Sequence, residues 1–194
     1  MTRFKASFKK NIILTGIISI VLIIFLFILT DLKDNSNQRI SIGGSFILTD
    51  QNGQIFDTSK FRTKKLIYFG YTFCPDVCPF DLLKLSKFLT SNPNLVNKFK
   101  PIFVTIDPER DDKYNLNSYL ENFEGNIVGL TGTNEQIDLV KQQFRVYVKL
   151  NKSSDTDTNY LVDHTTLFYL LDENDNYITH LRPDDLSNEL IKFL

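Results

Sequence analysis

The stretch that most constrains the fold is Tyr71–Pro79, which holds both cysteines of the chain, Cys74 and Cys78. It follows an apolar run, Leu66–Tyr71, and it precedes a helical pattern, Phe80–Thr90. An apolar run without alternation is typical of a central strand that is covered on both faces. The sequence therefore predicts a buried strand, a cysteine-bearing turn and a helix, in that order.

Three residues separate Cys74 from Cys78, whereas the redox motif Cys-x-x-Cys has two. Residues i and i+4 share one face of a helix, with Cβ atoms about 5–6 Å apart, so we expect the two sulfurs side by side. Such a pair can bind one metal ion, or it can close a disulfide after a small adjustment of the turn. A purely structural disulfide is a third possibility, although a bridge across so short a loop stabilises a fold least.

The N-terminal region predicts a membrane anchor. Residues 11–30 carry no charge, and twenty helical residues span about 30 Å, the thickness of a bilayer core. Residues 1–10 are basic and acids follow the apolar run, so the positive-inside rule predicts a cytoplasmic N-terminus. We thus expect an anchor over 11–30, a tether over 31–42 and a domain over 43–194 outside the cytoplasm.

A cleaved signal peptide is the alternative to an anchor. Its apolar region would span about 7–15 residues and end at a small-x-small cleavage site, and neither condition is met here. The basic leader is also too short for an Arg-rich mitochondrial presequence. The expected location is a bacterial inner membrane with the domain in the periplasm, in preference to a mitochondrial inner membrane.

Beyond the tether, strand and helix patterns alternate. Asn52-Gly53 predicts the turn of a β-hairpin over 43–56. Further strands are predicted at 102–106, 127–130, 165–171 and 177–181, and further helices at 115–123, 133–144 and 184–194. Thr133 and Gln136 have the spacing of a capping box at the start of the second of these helices. The pattern predicts an α/β thioredoxin-like sandwich with an N-terminal β-hairpin, preceded by one transmembrane helix.

His164 is the candidate for a third ligand beside the two cysteines. It lies just before the predicted strand 165–171, in a loop that such a sheet would bring opposite the cysteine turn. Two thiolates and an imidazole suit Cu(I), and the imidazole makes Cu(II) tolerable as well. A structural histidine without a metal is the alternative. Asp163 is expected either to orient His164 or to stabilise a turn.

The other candidates point to structural roles. Asp76 is interpreted as a solvated charge near the helix N-terminus, because a carboxylate is a poor ligand for Cu(I). The charged loop Asp107–Asp111 is predicted to be ion-paired, with a docking surface as the alternative, and His180 is predicted to be structural. A net charge of −1 argues against binding to nucleic acid, and two cysteines are too few for a disulfide scaffold.

Taken together, these motifs resemble the Sco/SenC family of copper chaperones, which help to assemble cytochrome c oxidase. The matching residues run in the family's order: Gly43-Gly44, Phe46, Leu48, Asp50, Gly53, Tyr68-Phe69-Gly70-Tyr71-Thr72, Cys74-Pro75-Asp76-Val77-Cys78-Pro79, Asp107-Pro108-Glu109-Arg110-Asp111, Gly129-Leu130-Thr131-Gly132, Arg145-Val146-Tyr147 and Asp163-His164. The resemblance spans about residues 40–180 and includes the anchor. Ser45 replaces a common Pro, and Asp112-Lys113 replaces Thr-Pro; neither change affects a candidate ligand.

The resemblance implies that Cys74, Cys78 and His164 bind one copper ion. It implies a metal carrier that delivers copper to the binuclear copper site of cytochrome c oxidase subunit II, or to another copper-site apo-protein. A copper donor or a thiol reductant would be a further partner. The alternative is an enzyme, a thiol–disulfide oxidoreductase that uses Cys74 and Cys78 to reduce the cysteines of that site.

Overall fold

The computed structural model describes residues 19–27, 42–154 and 158–194. Residues 19–27 are helical with exposed side chains, and Ile42–Leu194 is a compact unit. Within these stretches, no helix combines the length and the apolar character that a membrane crossing needs. Most of the predicted anchor and tether lies outside the described residues, so both stay predictions.

Most strands of the domain belong to one mixed sheet. The described residues contain β1 (Ile47–Asp50), β2 (Ile55–Asp57), β3 (Lys64–Gly70), β4 (Phe99–Thr105), β5 (Val128–Thr131), β6 (Val148–Asn151), β7 (Leu161–His164), β8 (Phe168–Leu171) and β9 (Tyr177–Leu181). Seven of them form a sheet in the order β2-β1-β5-β4-β3-β8-β9, in which β3, β4 and β5 are parallel. Strands β6 and β7 pair only with each other, as an antiparallel hairpin.

Four α-helices accompany these strands in the described domain: α1 (Val77–Ser91), α2 (Lys113–Leu120), α3 (Asn134–Phe144) and α4 (Leu186–Glu189). Helix α3 begins as predicted, because the Thr133 hydroxyl accepts the Gln136 N–H and the Gln136 side chain accepts the Thr133 N–H. The predicted mixed α/β architecture and its N-terminal hairpin, β1 with β2, are confirmed.

The core lies on both faces of β3 and β4, which explains their continuous apolar sequences. Every residue of β3 after Lys64 is buried, and α1 covers one face with Leu82, Leu85 and Leu89. Burial of each such side chain contributes about 1.5–3 kcal/mol. This packing fixes the C-terminal end of β3, from which the cysteine turn emerges.

Several predicted boundaries were wrong, and each has a local cause. Helix α2 starts at Lys113, two residues early, because the Asp112 carboxylate accepts the N–H groups of Tyr114 and Asn115. The predicted helix 184–194 is instead a short α4 between two 3-10 turns. In this segment only two leucines of the helical face, Leu186 and Leu190, are buried.

Candidate metal centre

The cysteine turn is formed by two different local structures and not by one helix. The Cys74 N–H donates to the Tyr71 carbonyl at 3.3 Å, which closes a turn, and α1 begins only at Val77. The expectation that both cysteines share a helix face was therefore wrong. Pro75 disfavours a helical backbone at the residue before it, so the helix cannot extend back to Cys74. Pro79 falls in the first turn of α1, where no N–H is needed.

Cys78 lies in the first turn of α1 and is fully buried against the end of β3. Its backbone N–H donates to the Cys74 sulfur at 3.5 Å, which brings the two thiols together despite the break in the helix. A Cβ atom at Gly70 would lie only 3.0 Å from the Cys78 sulfur and 2.7 Å from the ring of Phe103. Gly70 thus leaves the space that the buried sulfur occupies.

His164 is the last residue of β7, and its imidazole meets the cysteines. Its Nε2 lies 3.3 Å from the Cys78 sulfur, and its Nδ1 lies 2.9 Å from the Thr165 carbonyl. A carbonyl can only accept, so Nδ1 carries the proton and the lone pair of Nε2 points to the sulfur. The ring is also held edge-on by Tyr68 and Tyr71, at centroid distances of 6.4 and 6.0 Å.

The acidic neighbour of His164, Asp163, does not orient the imidazole. Asp163 is exposed on β7, and the Thr165 carbonyl takes the orienting place that was predicted for this carboxylate. The prediction that His164 lies opposite the cysteine turn is confirmed. Its place at the end of a paired strand was not predicted, however, because β7 is short and shows no continuous apolar run.

The two cysteines differ sharply in acidity. The hydrogen bond with Cys78, against the opposing effect of burial, lowers the pKa of Cys74 to about 3. The same bond and deep burial raise the pKa of Cys78 well above its ordinary value. Both cysteines are free, and Cys74 is only partly buried. At neutral pH the pair is therefore a partly buried Cys74 thiolate beside a fully buried Cys78 thiol.

The charged loop Asp107–Asp111 is hydrogen-bonded to the start of the cysteine turn through Asp111. The fully buried Asp111 carboxylate accepts the Thr72 N–H at 2.9 Å and the hydroxyls of Thr72 and Thr105, each at 2.6 Å. Burial raises the pKa of Asp111. Arg110 pairs with Asp107 at 2.5 Å, which confirms the predicted ion pairing of this loop.

Sequence reasoning missed a second polar contact behind the cysteines. The Tyr68 hydroxyl donates to the buried Asp81 carboxylate at 2.9 Å, and Asp81 also pairs with Lys84 at 3.2 Å. An aspartate on the apolar side of α1 was the available signal, because a buried acid needs a partner. Asp81 thus joins β3 to α1 by a hydrogen bond, and Asp111 joins the start of the cysteine turn to β4.

The remaining candidates lie apart from this cluster. Asp76 is exposed at the start of α1 with no side-chain capping bond, as expected of a solvated charge. His180 is exposed on β9, where its Nδ1 contacts the Tyr177 hydroxyl, as expected of a structural histidine. Among the described residues, no group of three or more His, Cys, Asp and Glu side chains is already arranged as a metal cage. The three predicted ligands are in contact through Cys78, and their side chains would have to move closer together to bind one ion.

Comparison with known proteins decides the family. The family model for SCO1/SenC matches residues 34–194, which is most of the chain. The chain belongs to the SCO1/SenC family. An SCO2-like protein of Rickettsia conorii is 40% identical over 161 residues, covering 80% of this chain and 77% of that protein. The predicted family resemblance is therefore confirmed.

Solved Sco structures share the fold. Bradyrhizobium japonicum ScoI, solved with copper bound, is 36% identical with a TM-score of 0.70, covering 79% of this chain and 100% of that one. BsSco, described as having a disulfide switch and as a member of the Sco family of cytochrome c oxidase assembly proteins, is 18% identical. Its TM-score of 0.62, over 81% of this chain and 94% of that one, shows the fold alone. The thioredoxin-like Sco fold is thus confirmed, and a copper-bound relative supports the predicted copper cargo.

Proposed function

We propose that this protein is a copper metallochaperone, anchored in a membrane by residues 11–30, whose Cys74, Cys78 and His164 bind one copper ion. The observation that carries the proposal is the cluster itself. The Cys78 sulfur lies 3.3 Å from Nε2 of His164. The backbone N–H of Cys78 donates to the Cys74 sulfur, so all three candidate ligands lie side by side. The copper-bound ScoI relative supports the choice of metal.

The donor chemistry fits Cu(I). Two soft thiolates and an imidazole are ligands that suit Cu(I). The lone pair of His164 Nε2 is free because Nδ1–H is engaged by the Thr165 carbonyl. Cys74 supplies a thiolate at once, and Cys78 must release its proton as the ion binds. Binding therefore releases one proton per copper ion at neutral pH.

Transfer would begin at Cys74. Its sulfur is the partly exposed one, whereas Cys78 is fully buried. A thiolate from an apo-protein can approach copper from the Cys74 side, and the ion then leaves by stepwise exchange of one ligand for another. The recipient we propose is the binuclear copper site of cytochrome c oxidase subunit II, in keeping with the oxidase-assembly role named for the Sco family in the BsSco structure. The periplasmic face of a bacterial inner membrane is the proposed location.

Copper stoichiometry tests the proposal. The purified, reduced chain is titrated anaerobically with Cu(I) against a chromophoric chelator, beside Cys74→Ser, Cys78→Ser and His164→Ala. We expect one tightly held ion per chain, and much weaker binding in all three variants. His180→Ala is the matched control, because it removes the other histidine of the chain. Tight binding that survives His164→Ala would refute the three-ligand site.

A thiol–disulfide oxidoreductase is the second candidate, and the low pKa of Cys74 favours it. The Cys74 thiolate would attack a partner's disulfide, forming a mixed disulfide and releasing one partner thiolate. Cys78 would then lose its proton and attack Cys74, which frees the partner as a dithiol and leaves Cys74–Cys78 oxidised. Fast exchange with a model disulfide, together with no tight copper binding, would favour this enzyme over the carrier.

A further inference from the structure

The strand that carries His164 is not hydrogen-bonded into the main sheet. Strands β6 and β7 form their own two-stranded sheet, so the ladder that fixes β3, β4 and β8 does not set the position of His164. Cys74 and Cys78, by contrast, are attached directly to the end of β3 and to α1. Other contacts must therefore hold the histidine hairpin, β6 with β7, at the right distance from the sulfurs.

Arg110 contacts the chain just before β7. Its Nη1 donates to the Tyr160 carbonyl at 2.9 Å and to the Thr158 carbonyl at 3.5 Å. Its guanidinium carbon lies 3.5 Å from the centroid of the Tyr160 ring. The Tyr160 hydroxyl donates to Asp107 at 2.7 Å, and Asp107 in turn pairs with Nε of Arg110. The segment that leads into β7 is thus held by a ring of contacts around one guanidinium.

The same guanidinium faces the cysteine turn. Its carbon lies 5.0 Å from the ring centroid of Phe73, which precedes Cys74, and 5.6 Å from that of Tyr71. The Tyr71 hydroxyl accepts the Val162 N–H at 3.2 Å, which is a second link between the turn and β7. Only 11% of the Arg110 side chain is exposed, so the guanidinium itself is largely shielded from water.

We propose that Arg110 is a positioning residue that sets the spacing between the cysteine turn and the histidine hairpin. It holds His164 within reach of the sulfurs by joining both segments through one planar side chain. A lysine at this position would keep the positive charge. It would lack the forked N–H donors that bond to the carbonyls and the planar group that stacks on the Tyr160 ring. The effect on copper rests on the proposed function, whereas the effect on the position of the hairpin does not.

A double-mutant cycle separates positioning from general damage. Cu(I) affinity is measured on the full chain for Arg110→Gln, for His164→Ala and for the double variant. We expect Arg110→Gln to weaken binding by about 10–100-fold, the usual cost of losing a contact that orients a metal ligand. In the His164→Ala background, the same change should have little further effect. Equal weakening in both backgrounds would overturn the proposal.

Two further variants frame this result. Arg110→Lys is expected to lie near Arg110→Gln, because the charge alone does not restore the fork. Arg62→Gln is the matched control, since Arg62 makes an exposed hydrogen bond at 2.9 Å to Asn174, which lies outside both segments. Full recovery of copper affinity in Arg110→Lys would show that charge and not geometry matters, and would overturn the positioning role.

Hydrogen exchange on the copper-free chain tests the position of the hairpin independently of copper. We expect Arg110→Gln to speed exchange of the Val162 amide and its β7 neighbours while the amides of β3 and β4 stay protected. Tyr160→Phe, which keeps the ring and removes the bond to Asp107, should act in the same direction and more weakly. Unchanged exchange in β7, or faster exchange throughout the domain in both variants, would overturn the proposal. Absence of copper binding by the unmodified chain would refute the proposed function alone.

Discussion

Replacement of Gly70 by alanine gives a direct test of how tightly the buried sulfur is held. The new Cβ atom would lie 3.0 Å from the Cys78 sulfur and 2.7 Å from a ring carbon of Phe103, whereas ordinary contacts start at 3.4 Å. The sulfur must therefore retreat by about 0.4 Å and the ring carbon by about 0.7 Å, the differences between those distances. Both side chains are fully buried, so neither can move out into solvent without disturbing its neighbours.

The expected loss of stability is moderate. Overpacking of a core usually costs about 1–3 kcal/mol, and alanine in a strand regains about 0.5–1 kcal/mol over glycine. The net loss in the free energy of unfolding should therefore be about 0–2.5 kcal/mol. A ligand displaced by a few tenths of an ångström is near the tolerance of a metal site, about 0.5 Å. We therefore expect Cu(I) affinity to fall at least about tenfold, equivalent to 1.4 kcal/mol.

Gly129→Ala is the matched control for this experiment. Gly129 lies in β5, away from both cysteines. A Cβ atom at this position would lie 2.5 Å from a methyl group of Leu120. Denaturant unfolding should show comparable destabilisation of the two variants, whereas chelator competition should show weakened copper binding only in Gly70→Ala. Unchanged copper affinity in Gly70→Ala, at the expected loss of stability, would refute the idea that Gly70 places the Cys78 sulfur.

Three other predictions concern acidity, ion pairing and capping. Because the pKa of Cys74 is lowered to about 3, its alkylation rate should vary little between about pH 5 and about pH 8. Cys78→Ala removes the main cause of the low pKa, so the alkylation rate of Cys74 should then rise with pH. A rate that rises with pH in the unmodified chain would contradict the low pKa of Cys74. Asp175→Asn leaves Lys65, buried beside it at 2.6 Å, without its charge partner and should cost about 3–5 kcal/mol in denaturant unfolding; a loss below about 1 kcal/mol would argue against the pair. Thr133→Ala should cost about 1 kcal/mol through the lost capping box without changing copper affinity, which the same two assays check.

The parts of the fold that sequence reasoning predicted are those with local signals. The apolar run of β3, the turn residues of the first hairpin and the Thr133 capping box each act within a few residues, and each was confirmed. The placement of both cysteines beside His164 also followed, since the chain order of a strand, a turn and a later strand fixes which loops meet.

What the sequence did not reveal depends on distant partners. The pairing of β6 with β7 joins two short, mostly exposed strands, and no local pattern links one to the other. The buried position of Lys65 depends on Asp175, 110 residues later, which no local pattern links to it. Arg110 likewise reads as one charge in a polar loop until Tyr160 and Phe73 are placed around it.

The separate hairpin of β6 and β7 also bears on how long a cargo ion would stay bound. Segments with few ladder contacts to the rest of a domain open at a lower free energy than its central strands. The imidazole could therefore leave and return while the seven-stranded sheet and both sulfurs stay in place. In that case the residence time of the ion would follow the opening rate of one hairpin, and a donor or recipient that touched β6 could shorten or lengthen it without unfolding the domain.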